Sequence, residues 1–212
     1  MVELLGPPQS GKTTLCLALI SSVLAQGGSV AFLDASQQLD VLASAGQVPR
    51  FRDMLVTQCN ELEESLEIAR ILVAHQAVDL LVLDPISSLV PRAELDAPMH
   101  SGGLGTPSIF LRDAFHRLHL ALSKSTCSLL AVDVLRDCDE HPVGTMETTA
   151  ATRTITPFSS IRLQIRVDPP TTLPGSRYLR VVKNHLGSAG STIPLPTMAI
   201  LHDHPMGATP HG

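Results

Sequence analysis

The sequence predicts an α/β fold: a mostly parallel central sheet flanked by helices, closed at its C-terminal end by antiparallel strands. Three observations carry this expectation. Short apolar runs alternate with segments of helical periodicity through residue 134. The run DLLVL, residues 79–83, is almost wholly apolar, as a strand covered on both faces must be. A glycine-rich connection, Gly6-x-x-x-x-Gly11-Lys12-Thr13, joins the first apolar run to the first helical pattern.

The elements follow in order. Residues 2–5 form a first strand and residues 13–25 a helix, which Gly27 and Gly28 stop. Residues 29–33 are a second strand ending at Asp34. Residues 61–75 are amphipathic, with Leu62, Leu66, Ala69 and Val73 on one side and Glu61, Glu63, Glu64 and Glu67 on a solvated face. Residues 79–83 form a buried strand, 91–107 a loop rich in Gly and Pro, 108–123 a helix and 128–134 a buried strand. A second long loop spans 137–157. Residues 160–167 and 176–183 read as paired strands around the turn DPPTTLPG. One domain over residues 1–201 is expected, followed by a disordered tail at 202–212.

Composition narrows the function classes. The formal net charge is −5, which argues against a general nucleic-acid coat and leaves room only for a local basic groove. The four cysteines are scattered without a C-x-x-C and read as buried thiols in a reducing compartment. No apolar run reaches membrane-spanning length, so no membrane partner is expected. Met1 stands directly before the first strand, which reads as a natural start without a signal peptide. The low aromatic content, 3% with no Trp, disfavours a base-stacking platform. His202 and His204 sit in a Pro/Gly-rich tail and are not expected to hold a metal. His116 and His119 read as a solvated helix face.

Two motifs carry the chemistry. In the first, Gly6, Pro7, Pro8, Gln9, Ser10 and Gly11 let backbone N–H groups close around phosphates. Lys12 would reach the β- and γ-phosphates, the Thr13 hydroxyl would hold Mg²⁺, and the helix running on through Thr14 adds its positive end. In the second, LLVLD at residues 80–84 puts Asp84 at the exposed end of a buried strand, where its carboxylate would face the Mg²⁺ shell.

From Val2 to about Leu201 the chain resembles the ATPase core of bacterial RecA and its paralogues. VELLGPPQSGKTTL is similar to that family's first strand and phosphate loop, AFLDASQQLD to the segment with its catalytic carboxylate, and VDLLVLDPISSLVPRAEL to its Walker B strand and turn. METTAATRTITPFSSIRLQIR resembles the second DNA loop and the strand after it, and GSRYLRVVKNH the late strand that reaches a neighbour's nucleotide. The resemblance implies a RecA-like P-loop ATPase fold, ATP and Mg²⁺ as cofactors, and a role on DNA in the cytoplasm, associated with the nucleoid. It also implies Asp40 near the base and Lys183 and His185 as the cap on a neighbour's nucleotide; Arg136, Arg153, Arg162 and Arg166 carry charge that offsets the acidic opening of the second loop, and the first three are DNA-binding candidates. Arg112 and Arg117 on the preceding helix are further DNA candidates.

Departures from the family pattern are as informative. The position of the water-polarising Glu holds Ser36, and a lone hydroxyl is not a general base at neutral pH. The family's Asn-Gln pair is Asp133-Val134, so the γ-phosphate-sensing amide is missing. Ala43 replaces the adenine-packing aromatic, Ala150-Ala151 the Gly-Gly of the second DNA loop, and His185 one of two capping lysines. Asp137, Asp139 and Glu140 put negative charge at that loop's opening. No segment of these 212 residues resembles the family's N-terminal docking element or C-terminal DNA-gathering domain, so a protein acting without them is the expectation. The expectation is an accessory protein of DNA repair, damage (SOS) response and recombination, with weak or no hydrolysis. It would act through a RecA-type recombinase or DNA polymerase partner, as the short ImuA type does in mutagenic translesion synthesis. It would bind DNA weakly and form no long filament of its own. The alternative is an active DNA-dependent ATPase or minimal recombinase on single-stranded DNA, with Asp34 or Asp133 supplying the missing carboxylate. A third reading makes the chain an interaction module with a relic P-loop; Lys12, Thr13 and Asp84 oppose it.

Overall fold

The computed structural model describes residues 1–44, 46, 48, 50–95, 108–137, 146–147, 154–167 and 176–195. The elements are β1 (Val2–Gly6), α1 (Lys12–Ala25), β2 (Val30–Asp34), α2 (Leu39–Ser44), β3 (Leu55–Gln58), α3 (Leu62–Ala74), β4 (Leu80–Asp84), α4 (Arg92–Leu95), α5 (Ser108–Leu122), β5 (Ser128–Val134), β6 (Arg136–Asp137), β7 (Met146–Glu147), β8 (Ile161–Val167), β9 (Arg177–Asn184) and β10 (Thr192–Leu195). Eight strands form one sheet in the order β10-β9-β8-β1-β5-β4-β2-β3. All pairings from β3 to β8 are parallel, while β9 and β10 add antiparallel. This is the mostly parallel sheet with antiparallel C-terminal strands that the sequence predicts.

Strand alternation sorts the core into two layers. Leu80 and Val82 of β4 face α1, together with Phe32, Leu130, Val132 and Ile165, and meet Cys16, Leu17, Ile20 and Leu24. Leu81 and Leu83 face the other way with Leu33 and Leu129, against Leu66, Ala69 and Val73 of α3 and Phe115 and Leu118 of α5. Each such Leu contributes about 1.5–3 kcal/mol by leaving water. Helix α1 stops where Gly27 takes a φ of 79°, and Gly28 N–H bonds back to Val23 O at 3.0 Å, as the paired glycines predict.

Several sequence expectations change. The loop at 91–107 opens with the helical turn α4, and the loop at 137–157 contains the β6–β7 ladder and a 3-10 turn, Thr156–Phe158. Strands β3 and β10 were not expected. Each has four residues and lies at a sheet edge, with too little buried apolar surface to leave a pattern. His116 and His119 pack their rings on Phe158, with centroids 6.1 and 5.7 Å away, so His119 belongs to the α5 packing rather than to a solvated face. Residues 168–175 and the segment 196–212 lie outside the described residues. Among the described residues no helix is long and apolar enough to cross a membrane.

Candidate nucleotide-binding site

Parallel strands β1, β5, β4 and β2 all end on one edge of the sheet, so Gly6, Asp133, Asp84 and Asp34 come out together. The turn from β1 into α1 bends back over this edge. Gln9 and Gly11 hold φ values of 59° and 95°, the latter a left-handed conformation that glycine adopts without a Cβ clash. A Cβ on Gly6 would lie 2.6 Å from Ser10 Oγ and 3.2 Å from Ile165 Cβ, so a side chain there would force its neighbours to shift. Gly11 is the N-cap of α1 and offers no side-chain acceptor, and α1 has no acidic residue in its first turn. The first amides of the helix therefore point outward without an intrahelical acceptor. Ser10 Oγ is buried and lacks a hydrogen-bond partner. This cradle of donors fits a phosphate chain.

Lys12 is 8% exposed, and its Nζ donates to Gly6 O at 3.0 Å and Pro7 O at 2.8 Å. Burial lowers its pKa, while the Asp84 and Asp133 carboxylates pull it back up. Thr13 Oγ1 donates to Asp84 Oδ2 at 2.8 Å, which brings the two proposed Mg²⁺ ligands together across 71 residues of chain. Burial raises the Asp84 pKa; the Thr13 hydrogen bond and Lys12 oppose this, and Asp34 and Asp133 reinforce it. A hydroxyl and a carboxylate are hard oxygen donors of the kind Mg²⁺ takes when phosphates and water complete its shell, so these residues fit the ion.

The neighbouring carboxylates are engaged. Asp34 Oδ1 accepts from Ser36 N at 3.1 Å and Ser36 Oγ at 2.8 Å, and Oδ2 accepts from Leu39 N at 2.8 Å. Asp34 thus fixes the turn into α2. Asp133 is 1% exposed and accepts from the Val134 amide at 2.8 Å. Asp40 stands exposed in the first turn of α2, where Gln58 Nε2 donates to it at 2.8 Å. Lys183 and His185, expected at a neighbour's nucleotide, bond within this chain. Lys183 Nζ donates to Thr156 O of its own chain at 2.9 Å, and the exposed His185 bonds through its backbone to Ser160 O.

The DNA candidates fare differently. The Arg162 side chain is 17% exposed and faces the buried Glu3 carboxylate, with Nε 3.5 Å from Oε2. Strand alternation turns it inward beside β1, opposite Glu3 in register. Arg136 lies in β6 with its backbone paired to Glu147, and Arg153 lies outside the described residues. Arg117 pairs with Asp113 at 2.9 Å on α5, and Arg112 is exposed there. A basic face was legible only in part. Arg166 and Arg180 fall on the sheet face opposite Ile165 and Leu179, with Gln164 and Tyr178 directly across the β8–β9 ladder. The signal was the alternation of basic and apolar residues in both strands, which becomes one surface only once their register is known.

Residues 1–193 match the RecA N-terminal domain family. The chain is 34% identical over 189 residues to Protein RecA of Lactiplantibacillus pentosus, covering 87% of this chain and 50% of that protein. It is 33% identical over 189 residues to Protein RecA of Clostridioides difficile (strain 630), covering 87% and 54%. The crystal structure of the RadB recombinase superposes with a TM-score of 0.61 at 18% identity, over 91% of this chain and 84% of that one. The chain spans about half the length of the curated relatives it matches. A phosphate cradle on the first strand of such a sheet, together with a family match over nearly the whole chain, shows that this chain belongs to the RecA N-terminal domain family.

Proposed function

We propose that the chain is an ATP-binding accessory protein of DNA recombination and repair that hydrolyses ATP slowly or not at all. One observation carries this reading. The phosphate cradle and the Thr13–Asp84 pair are intact, while Ser36 occupies the position of the family's activating carboxylate and is bonded to Asp34. Bound Mg²⁺ would screen the charge between phosphate oxygens, with Thr13 and Asp84 as its protein ligands, and Lys12 would pair with the terminal phosphates. The partner is a RecA-type recombinase or a DNA polymerase, the latter placing the chain in mutagenic translesion synthesis and the damage response. The work would be done in the cytoplasm, at the nucleoid.

Nucleotide binding is the first test. Lys12→Ala removes a charge-assisted contact of about 1.5–3 kcal/mol, so MgATP and MgADP affinity should fall about ten- to a hundredfold in calorimetric titration. Equal affinity of wild type and variant sinks the reading.

DNA engagement is expected to be weak and shared with the partner. The exposed Arg180 and half-buried Arg166 provide a small basic face within a chain of net charge −5. Two or three phosphate contacts on single strands give a log–log salt slope of about −1.5 to −2 in affinity. Lys183 is engaged within its own chain, and His185 stands where the second capping lysine would be, which supports joining a partner rather than building a long filament. Electron microscopy with ATP and single-stranded DNA should show no regular filaments of this chain alone. Filaments together with a steep salt slope would favour the second reading, a minimal recombinase, for which the basic face is the supporting observation.

A further inference from the structure

Arg177 opens β9, paired with Val167 on one side and Leu195 on the other. It lies two residues before Leu179, so it shares the sheet face that Leu179 and Ile165 turn toward α1. Ile165 already abuts the phosphate loop at Gly6, and Arg177 reaches the other end of the same loop. A Cβ built on Gly11 would lie 3.2 Å from Arg177 Nη1. The guanidinium therefore stands against the turn from which α1 starts.

That position gathers positive charge. The N-terminus of α1 carries the positive end of the helix dipole, and its first turn holds no acidic residue to offset it. Lys12 follows Gly11 directly. Arg177 is exposed, and among the described residues no carboxylate pairs with it. The Asp84 and Asp133 carboxylates already attract Lys12, whereas the Arg177 guanidinium and the helix N-terminus meet at the loop's other end, a place for an anion with several oxygens. A phosphate chain is such an anion, and the planar, permanently charged guanidinium is suited to hold it.

We propose that Arg177 is an in-chain phosphate ligand, donating from β9 to the polyphosphate of a nucleoside di- or triphosphate seated in the Gly6–Thr13 loop. This rests on the nucleotide-binding reading of that loop. It gives one protomer two cations of its own for the phosphates, Lys12 from the loop and Arg177 from the sheet, with no neighbouring subunit required.

The test is calorimetric titration of the full chain with MgADP and with inorganic pyrophosphate. Arg177→Ala should weaken both by about ten- to a hundredfold, Arg177→Lys should keep most of the affinity, and Arg177→Glu should lose more than Arg177→Ala. Because Arg177 is exposed, the melting temperature without nucleotide should stay that of wild type in all three variants. Unchanged affinity in Arg177→Ala, alongside a clear loss in Lys12→Ala, overturns the role of Arg177 and leaves the loop as the nucleotide site. Failure of the wild-type chain to bind MgADP overturns the nucleotide site itself, and the role of Arg177 with it.

Discussion

ATP turnover by this chain is expected to run about 10²–10⁴-fold below that of a relative with a carboxylate at the Ser36 position, the usual loss when a positioned base is removed. The surroundings strengthen this expectation. The two carboxylates with a chance of standing in are buried and engaged. Asp34, at 1% exposure, accepts three hydrogen bonds that shape the turn into α2. Asp133 accepts from the next amide at the end of β5. Neither can give up its bonds to orient water without disturbing the backbone it holds. Ser36→Glu should raise turnover, because Thr13, Asp84 and Lys12 are already placed. The gain should stay partial, since the new carboxylate replaces the hydroxyl that donates to Asp34 and sets a like charge beside it. Phosphate release at steady state, with and without single-stranded DNA, measures both. Brisk DNA-stimulated release by the unaltered chain would promote the active ATPase in place of the accessory protein.

Much of this candidate site was legible in the sequence alone, for a physical reason. A phosphate loop is local: its glycines, Lys12 and Thr13 are contiguous, and the strand before and helix after them announce themselves by hydrophobic period. Asp84 was legible because a buried parallel strand is a continuous apolar run and the residue ending it falls on the active edge. What remained hidden depends on register between distant segments. Arg162 and Arg166 look alike in sequence, four residues apart in β8 and on the same sheet face, yet Arg162 lies beside β1 and meets Glu3 while Arg166 lies opposite Tyr178. Arg177 approaches Gly11 across 166 residues of chain, and no spacing rule connects them. Strand β10 leaves little pattern because it carries Pro194 and only one face with apolar neighbours, as an edge strand permits.

Glu3→Ala should be the most destabilising single substitution tested, by about 3–5 kcal/mol, since it removes one partner of a buried ion pair. Glu3 is 1% exposed on β1, the strand that ends in the phosphate loop. Its carboxylate accepts from Thr156 Oγ1 and Ser159 Oγ, each at 3.2 Å, and faces Arg162. Truncation leaves that guanidinium without its counter-charge and two hydroxyls without their acceptor. For a chain of this size the melting temperature should drop by about 10 °C, and an unchanged value would show that the pair carries no stability. Glu3→Gln separates charge from shape. Burial raises the Glu3 pKa above its ordinary value of 4.5, with Arg162 and the hydroxyls opposing the rise. The folded chain therefore holds this proton to a higher pH than the unfolded chain does. Stability from the protonated group is fully present below the unfolded pKa and is lost as pH rises through the folded one. Wild type should accordingly lose stability relative to Glu3→Gln on going from about pH 4 toward neutrality, and parallel unfolding curves across that window would show that folding does not raise the Glu3 pKa. Because Lys183 Nζ holds Thr156 O, the same node ties β9 and the base of the second loop to the strand that carries the phosphate cradle. Loosening Glu3 should thus weaken nucleotide binding as well as stability, although Glu3 lies on the sheet face opposite α1.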